Sequence, residues 1–413
     1  MLITRIKVSN FYGIKDPVEA IFIEGGEKEK VGYVNKGKER VSLISGFYGS
    51  NASGKSTVFN AIDTITRVMV SRQQDFVNGI KQNIVFALPN YSASMQSKPI
   101  VMEIDFIIDE DKYHYSFSIV SEGSEISQEV LYKNNKQVFT RKNDIIFFEA
   151  GIKKKIDAIL KENITAPKNS SFLSVLLDDS SDISVFSNLR EIIGVSNLNK
   201  IKTDFCFITD KRSVQNGQNN MSGLLNFALR YINGDKNTKD QLNIINPITK
   251  YFEPSFEQFI IEGDQKTFRF DAKYSDFYKL IPVMELSAGT RELVSYIGDI
   301  IRILKNGGVV IYDETSKYYH PDMEIAILNL FKDKDINQHN AQLFFSSHNH
   351  ETFDLLQNNQ AYILEKKNTC ITISKVSDYD VRERDNVKRV YRLGSLGGVP
   401  DTIDFNRIIN NLL

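Results

Sequence analysis

GSNASGKST occupies residues 49–57, and the fold of the whole chain turns on how that stretch is read. An apolar strand-like segment, 41–47, runs into it. A helix with Val58, Ile62, Ile65 and Val68 or Met69 on one face leaves it. The pattern is G-x-x-x-x-G-K-[ST] between a strand and a helix. Gly49 and Gly54 let the backbone wrap a phosphate chain, with Asn51, Ser53 and Thr57 completing the loop. Lys55 would reach the terminal phosphates and the Ser56 hydroxyl would hold Mg²⁺. A glycine- and serine-rich turn capping a helix is the plainer reading, but the motif and its flanks together outweigh it.

A phosphate cradle needs a metal anchor and a group that orients water. VVIYDE (309–314) is an apolar strand ending in two carboxylates, with Asp313 placed for Mg²⁺ and Glu314 for the attacking water. Taken alone, such a strand leading to a polar loop is common. LFFSSHN (343–349) ends the next strand in His348, which would contact the γ phosphate or the water. A third stretch, ELSAGTREL (285–293), has no catalytic group, yet Ser287, Ala288 and Gly289 open a strongly periodic helix. Leu293, Ile297, Ile300, Ile301 and Leu304 form its apolar face, and Gly307 and Gly308 stop it. That helix start is an anion-binding surface. Since 49–57 already supplies one cradle, the second is expected to close over a nucleotide held by another copy of the chain.

The rest of the chain fits this frame. Strands are expected at 2–8, 18–23, 101–108, 113–120, 126–132 and across 256–285. The tail alternates helix 289–305, strand 308–313, helix 322–331, strand 342–346, helix 350–356 and strand 361–365, which argues for parallel βα units. GIKKKIDAILKEN (151–163) reads as an amphipathic helix with Lys153, Lys154 and Lys155 on a solvated face, and 223–232 as another helix. The expected domains are an amino-terminal lobe 1–149, a mainly helical insert 150–250 and a carboxy-terminal lobe 251–413. Lys and Arg number 51 against 52 Asp and Glu, so net charge gives no support for nucleic-acid binding. Cys206 and Cys370 match no metal spacing and read as buried thiols of a reducing compartment. No apolar run approaches the about 20 residues needed to span a bilayer, and no signal peptide is visible, so a cytoplasmic protein without membrane contact is expected.

The set GSNASGKST, LSAGTRE, VVIYDE and FFSSHN, in that order, resembles the ABC-type ATPases of the SMC and RecF group. Within that group the chain resembles the compact AAA/ABC ATPases of bacterial phage-defence loci: OLD-family proteins and the ATPase subunits of PARIS (AriA) and AbiL type systems. The opening KVSNFYGIKD and the tail SDYDVRERDNVKRVYRLGSLGGVP (377–400) are similar to theirs. The resemblance implies an α/β ABC-type ATPase head with a mixed or parallel core sheet, an antiparallel β subdomain and a helical insert. It implies ATP and Mg²⁺ as ligands and an ATP-dependent homodimer or higher oligomer. It also implies a separate effector, such as a Toprim-like nuclease, with a phage protein as trigger; the insert 150–250, which lies outside the ATPase motifs, is the expected docking surface. A DNA-clamping RecF or SMC repair ATPase is the alternative, and a transporter's nucleotide-binding subunit a third reading.

Departures from the family are confined to a few places. TSKYYHP (315–321) keeps His320 and Pro321 but has Ser316 in place of an acid and Tyr318 in place of a small residue. Gln74 and Gln128 are weak candidates for the family's lobe-coupling glutamine. OLD proteins continue into a Toprim nuclease. The stretch after His348 is too short for one, while Asp333 and Asp335 read as a solvated turn. A nuclease within this chain is not expected.

Overall fold

The computed structural model describes residues 1–70, 88–120, 125–157, 164, 166–177, 189–203, 205–208, 221–317, 320–367, 370–382 and 386–399. In chain order the elements begin with β1 (Leu2–Ser9), β2 (Val18–Ile21), β3 (Ile23–Gly25), β4 (Tyr33–Lys36), β5 (Glu39–Ser42), β6 (Ile44–Tyr48) and α1 (Lys55–Val70). They continue with β7 (Ile100–Ile108), β8 (Asp111–Val120), β9 (Glu125–Lys133), β10 (Lys136–Lys142), β11 (Ile145–Phe148), α2 (Ala150–Asp157), α3 (Phe172–Leu177) and β12 (Phe205–Ile208). Then come α4 (Met221–Ile232), α5 (Lys236–Phe252), β13 (Phe256–Gly263), β14 (Phe268–Tyr274), β15 (Ile281–Pro282), α6 (Ala288–Asn306) and β16 (Val309–Tyr312). The last are α7 (Pro321–Asn329), β17 (Gln342–Ser346), β18 (Ala361–Lys367), β19 (Cys370–Lys375) and α8 (Val387–Arg392).

The chain divides into two compact units, Met1–Asp204 with His350–Leu413, and Phe205–Asn349. In the first unit an antiparallel sheet runs in the order β11-β10-β9-β8-β7-β1-β2. Its strands alternate buried and partly exposed residues, as a sheet with one covered face requires. β10 and β11 extend the expected meander, because Asn134 and Asn135 take positive φ in a tight turn that returns the chain. Beside it, β6 pairs in parallel with β18, and β18 antiparallel with β19. In the second unit β12, β16 and β17 are parallel neighbours, and β13, β14 and β15 form an antiparallel sheet.

A buried ion pair organises the first unit. Glu129 on β9 and Arg141 on β10 are both fully buried, 3.6 Å apart. Glu129 also accepts from Tyr115 Oη at 2.9 Å and from the backbone N–H groups of Phe172 and Leu173 at 2.7 and 3.0 Å. Arg141 donates to the carbonyls of Ser170 and Pro167 at 2.5 and 2.7 Å. Burial pushes the Glu129 carboxyl up, opposed by those amides and by Arg141. The network pins α3 to the sheet, and Ser171 Oγ donates to Val68 O at 2.6 Å, at the end of α1.

The division at 204/205 and 349/350 differs from the expected boundaries at 149/150 and 250/251. The physical reason lies in β12: residues inside the expected helical insert form a strand paired in register with β16, Phe205 opposite Val309. The expected strand 41–47 is two strands, because Ser42 folds its hydroxyl onto Ile44 O at 2.7 Å between them. The expected helix 350–356 is a 3-10 turn, His350–Leu355. Cys206 is buried, but Cys370 is half-exposed on β19, its thiol 3.4 Å from Asp16 Oδ2. Gln74 lies outside the described residues and Gln128 is exposed on β9. Among the described residues no helix is long and apolar enough to cross a membrane.

Candidate nucleotide site

Gly49 stands where β6 ends, with φ +155, and a side chain there would collide with Leu364 O and Ser53 Oγ, each at 2.5 Å. Gly54, with φ +108, is packed equally hard on Ile371, 2.5 Å from its Cδ1. The loop between them is therefore held close to β18 and β19 at positions only glycine fits. α1 starts at Lys55, carries no acidic residue in its first turn, and buries Val58, Phe59, Ala61, Ile62, Ile65, Val68 and Met69. Its amino-terminal end is thus open to an anion. The Lys55 side chain is buried and donates to the carbonyls of Gly49 and Ser50 at 2.8 and 3.1 Å, folding over the loop. Ser53 Oγ is buried with no hydrogen-bond partner among the described residues. An orphaned hydroxyl beside a sequestered ammonium fits a cradle for phosphate oxygens.

In the second unit the end of β16 and the end of β17 are bound into one constellation. Ser346 Oγ donates to Asp313 Oδ1 at 2.6 Å and accepts from Glu314 N at 2.8 Å. Thr315 N donates to Ser346 O at 2.9 Å, and Asp313 N to Ile208 O on β12 at 2.9 Å. Glu314 has φ +59, a strained conformation for a residue with a side chain, and one held by these bonds. Glu324, buried on α7, accepts from Thr315 Oγ1 and from Asn349 Nδ2, the latter at 2.9 Å. His348 is exposed, and its backbone N–H donates to Ser316 Oγ at 3.1 Å. Ser316, the departure from the family pattern, thereby ties the loop after Glu314 to the histidine. His320 caps α7, its Nδ1 accepting from Asp322 N at 3.3 Å. Tyr318 lies outside the described residues. Asp333 takes amides of Asp335 and Ile336 into an exposed turn, as expected.

Ser287 is the N-cap of α6: its Oγ accepts from Thr290 N at 3.1 Å. Ser287 and Ala288 are exposed, and α6 has no acidic residue in its first turn. Thr290 Oγ1 lies 2.7 Å from Ser287 Oγ and donates to Glu253 Oε1, while Tyr274 Oη donates to Glu253 Oε2 at 2.5 Å. Burial beside that carboxylate pushes the Tyr274 phenol up. Glu253 therefore fixes the cap from below.

Residues 44–354 match the family described as "AAA domain, putative AbiEii toxin, Type IV TA system". The chain belongs to this family. The matched span carries the loop 49–57, the carboxylates 313 and 314 and the α6 cap of this AAA domain. No curated protein matches it. Among solved structures the AAA-domain chain is similar to an SMC head bound to the C-winged helix domain of ScpA, at 13% identity and a TM-score of 0.47, covering 91% of this chain and 98% of that one. It is also similar to the SMC head domain from Thermotoga maritima, at 12% identity and a TM-score of 0.42, covering 91% and 99%. A third likeness is the Smc head with an extended coiled coil bound to the C-terminal domain of ScpA, derived from Pyrococcus furiosus, at 12%, 0.42, 96% and 99%.

The structure thus brings Gly49, Asn51, Ser53, Gly54, Lys55, Ser56 and Thr57 together in the first unit. It brings Asp313, Glu314 and His348 together in the second, with Ser287, Ala288 and Gly289 on the cap of α6. Ser346, Glu324, Ile371 and Glu253 escaped the sequence reading. Only Ser346 had a visible signal there, as a hydroxyl two positions before the histidine at a strand end.

Proposed function

We propose that this AAA-domain protein binds ATP with Mg²⁺ and hydrolyses it, that a second copy completes the site, and that hydrolysis controls a separate effector protein. The observation that carries the reading is the loop 49–57: a buried lysine folded over two carbonyls, an orphaned serine hydroxyl and a helix start without acids. In this reading the loop amides and Lys55 hold the β and γ phosphates, and Thr57 closes the first turn of α1. Ser56 and Asp313 offer the hard oxygen ligands Mg²⁺ prefers, and the ion when bound neutralises charge on the phosphate oxygens. Glu314 orients the attacking water and His348 contacts the γ phosphate. Ser287, Ala288 and Gly289 bind the γ phosphate held by the other copy. Mg²⁺-dependent phosphate release by the purified chain, lost in Lys55→Ala, tests the reading; equal release by the variant would overturn it.

Control of an effector is supported by the family description, which names a toxin and a type IV system. A Toprim-like nuclease released when a phage protein is sensed is the arrangement we favour. Co-purification of the adjacent gene product with this chain checks it, and a chain that protects cells from phage alone would contradict it.

A further inference from the structure

Residues 386–398 belong to the tail 377–400 and carry none of the nucleotide-site residues, yet Gly398 closes on the loop 49–57. Gly398 has φ +68, and a Cβ there would come within 2.8 Å of Ile363 Cγ2, 3.2 Å of Leu364 O and 3.4 Å of Gly49 Cα. Leu364 O is the same atom that closes on Gly49 from β18. Gly398 is fastened on both sides: its N–H donates to Glu365 Oε1 at 3.1 Å, and its carbonyl accepts from the buried Tyr391 Oη at 3.1 Å. The Tyr391 ring in turn packs edge-on to Tyr48, the residue before Gly49, at 6.4 Å, and against Phe353 at 5.2 Å. Tyr48 stacks on Phe353 at 3.8 Å and shares a hydrogen bond with Thr352 at 2.8 Å. At the near end of the segment, Lys388 bridges Glu351 and Asp354 at 2.7 Å each, and Arg392 Nε donates to His350 Nδ1 at 3.1 Å.

We propose that residues 386–398 form a strap that positions the loop 49–57 for nucleotide, with Gly398 and Tyr391 as its positioning residues. The proposal rests on reading that loop as an ATP cradle. The strap sits against the back of Gly49, whose carbonyl receives the Lys55 ammonium at 2.8 Å. A loop confined at Gly49 by Gly398 and by the Leu364 carbonyl has its amides pre-set, so less ordering remains to be done when phosphate arrives. The strap also grips 350–355, the segment that follows the histidine strand in the chain. It contacts Gly49, β18 and 350–355. Its loss therefore acts on nucleotide affinity and leaves turnover of bound nucleotide largely intact.

The test compares wild type, Gly398→Ala, Tyr391→Phe and the exposed control Arg389→Ala in full-length protein. Binding of a fluorescent ATP derivative, KM and kcat for ATP, and thermal melting are all measured. Gly398→Ala is expected to raise Kd and KM together by about tenfold, with kcat changed by less than about twofold. Tyr391→Phe keeps the ring packing and removes only the hydroxyl on Gly398, and is expected to raise both by about threefold. Arg389→Ala matches wild type. Should Gly398→Ala fail to fold, Tyr391→Phe decides alone. Melting shifts with unchanged Kd in both variants would show a purely structural tail and overturn the strap. A wild-type chain that binds no ATP derivative would instead overturn the ATP reading, and the strap with it.

Discussion

At the scale of single residues, the proposed hydrolysis makes separate predictions for Lys55 and Glu314. Lys55 is the buried cation of the loop, so Lys55→Ala is expected to abolish ATP binding in a filter or fluorescence assay. Glu314 is held at φ +59 by its amide bond to Ser346, which aims a carboxylate without burying it. Glu314→Gln is expected to bind ATP as wild type does and to lower hydrolysis by about 10²–10³-fold. Wild-type hydrolysis by that variant would show that another group orients the water. Arg141 and Glu129 make a different point. Removing one member of a fully buried pair strands the other, so Arg141→Met should cost about 3–5 kcal/mol in denaturant unfolding. Glu129→Met with Arg141→Met should lose less than the single change, because no unpaired charge is left. A double variant less stable than the single by the full sum would refute this coupling. Glu129 and Arg141 sit in strands that read as ordinary alternating β sequence. Nothing local marks a charged residue as buried, since the partner that permits it comes from a neighbouring strand.

At the scale of elements, the motifs marked by glycine and by period were legible, and the clips that hold them were not. α1 follows its glycine loop with the expected apolar face. α6 buries Leu293, Ile297, Ile300 and Leu304 as expected, buries Ile303 as well, and leaves the expected Ile301 half-buried. The Glu253–Thr290–Ser287 relay joins residues 37 positions apart, and only the fold brings them into contact. That relay makes a specific expectation for the cap. Ser287→Ala should cost α6 about 1 kcal/mol, since Thr290 N loses its acceptor, with ATP binding unchanged. Ser287→Arg puts a long cation on the exposed anion surface and should leave binding at Lys55 intact while hydrolysis falls steeply. Equal hydrolysis by Ser287→Arg and wild type would remove the cap from the mechanism.

For the whole molecule, the expected docking surface 150–250 needs a probe that leaves the fold intact. Replacing 164–220 with a linker would delete the buried helix Phe172–Leu177 and the strand Phe205–Ile208, which is paired with β16. A sounder probe of effector docking is charge reversal at Lys153, Lys154 and Lys155, which are exposed on α2. Reversal is expected to release a co-purifying effector without changing ATP hydrolysis; retention of the effector would move its docking surface elsewhere. The chain's apolar patterning pointed to an insert because its polar stretches carry little periodicity, and strand pairing across long sequence distances leaves no local trace. The central claim is that one copy's loop works with the other copy's α6 cap. Mixing two inactive variants tests it most directly. Lys55→Ala keeps a sound cap and Ser287→Arg keeps a sound loop, so each alone is expected to be inactive, and their mixture should recover Mg²⁺-dependent hydrolysis. A mixture as inactive as its components, beside an active wild type, would contradict the composite site.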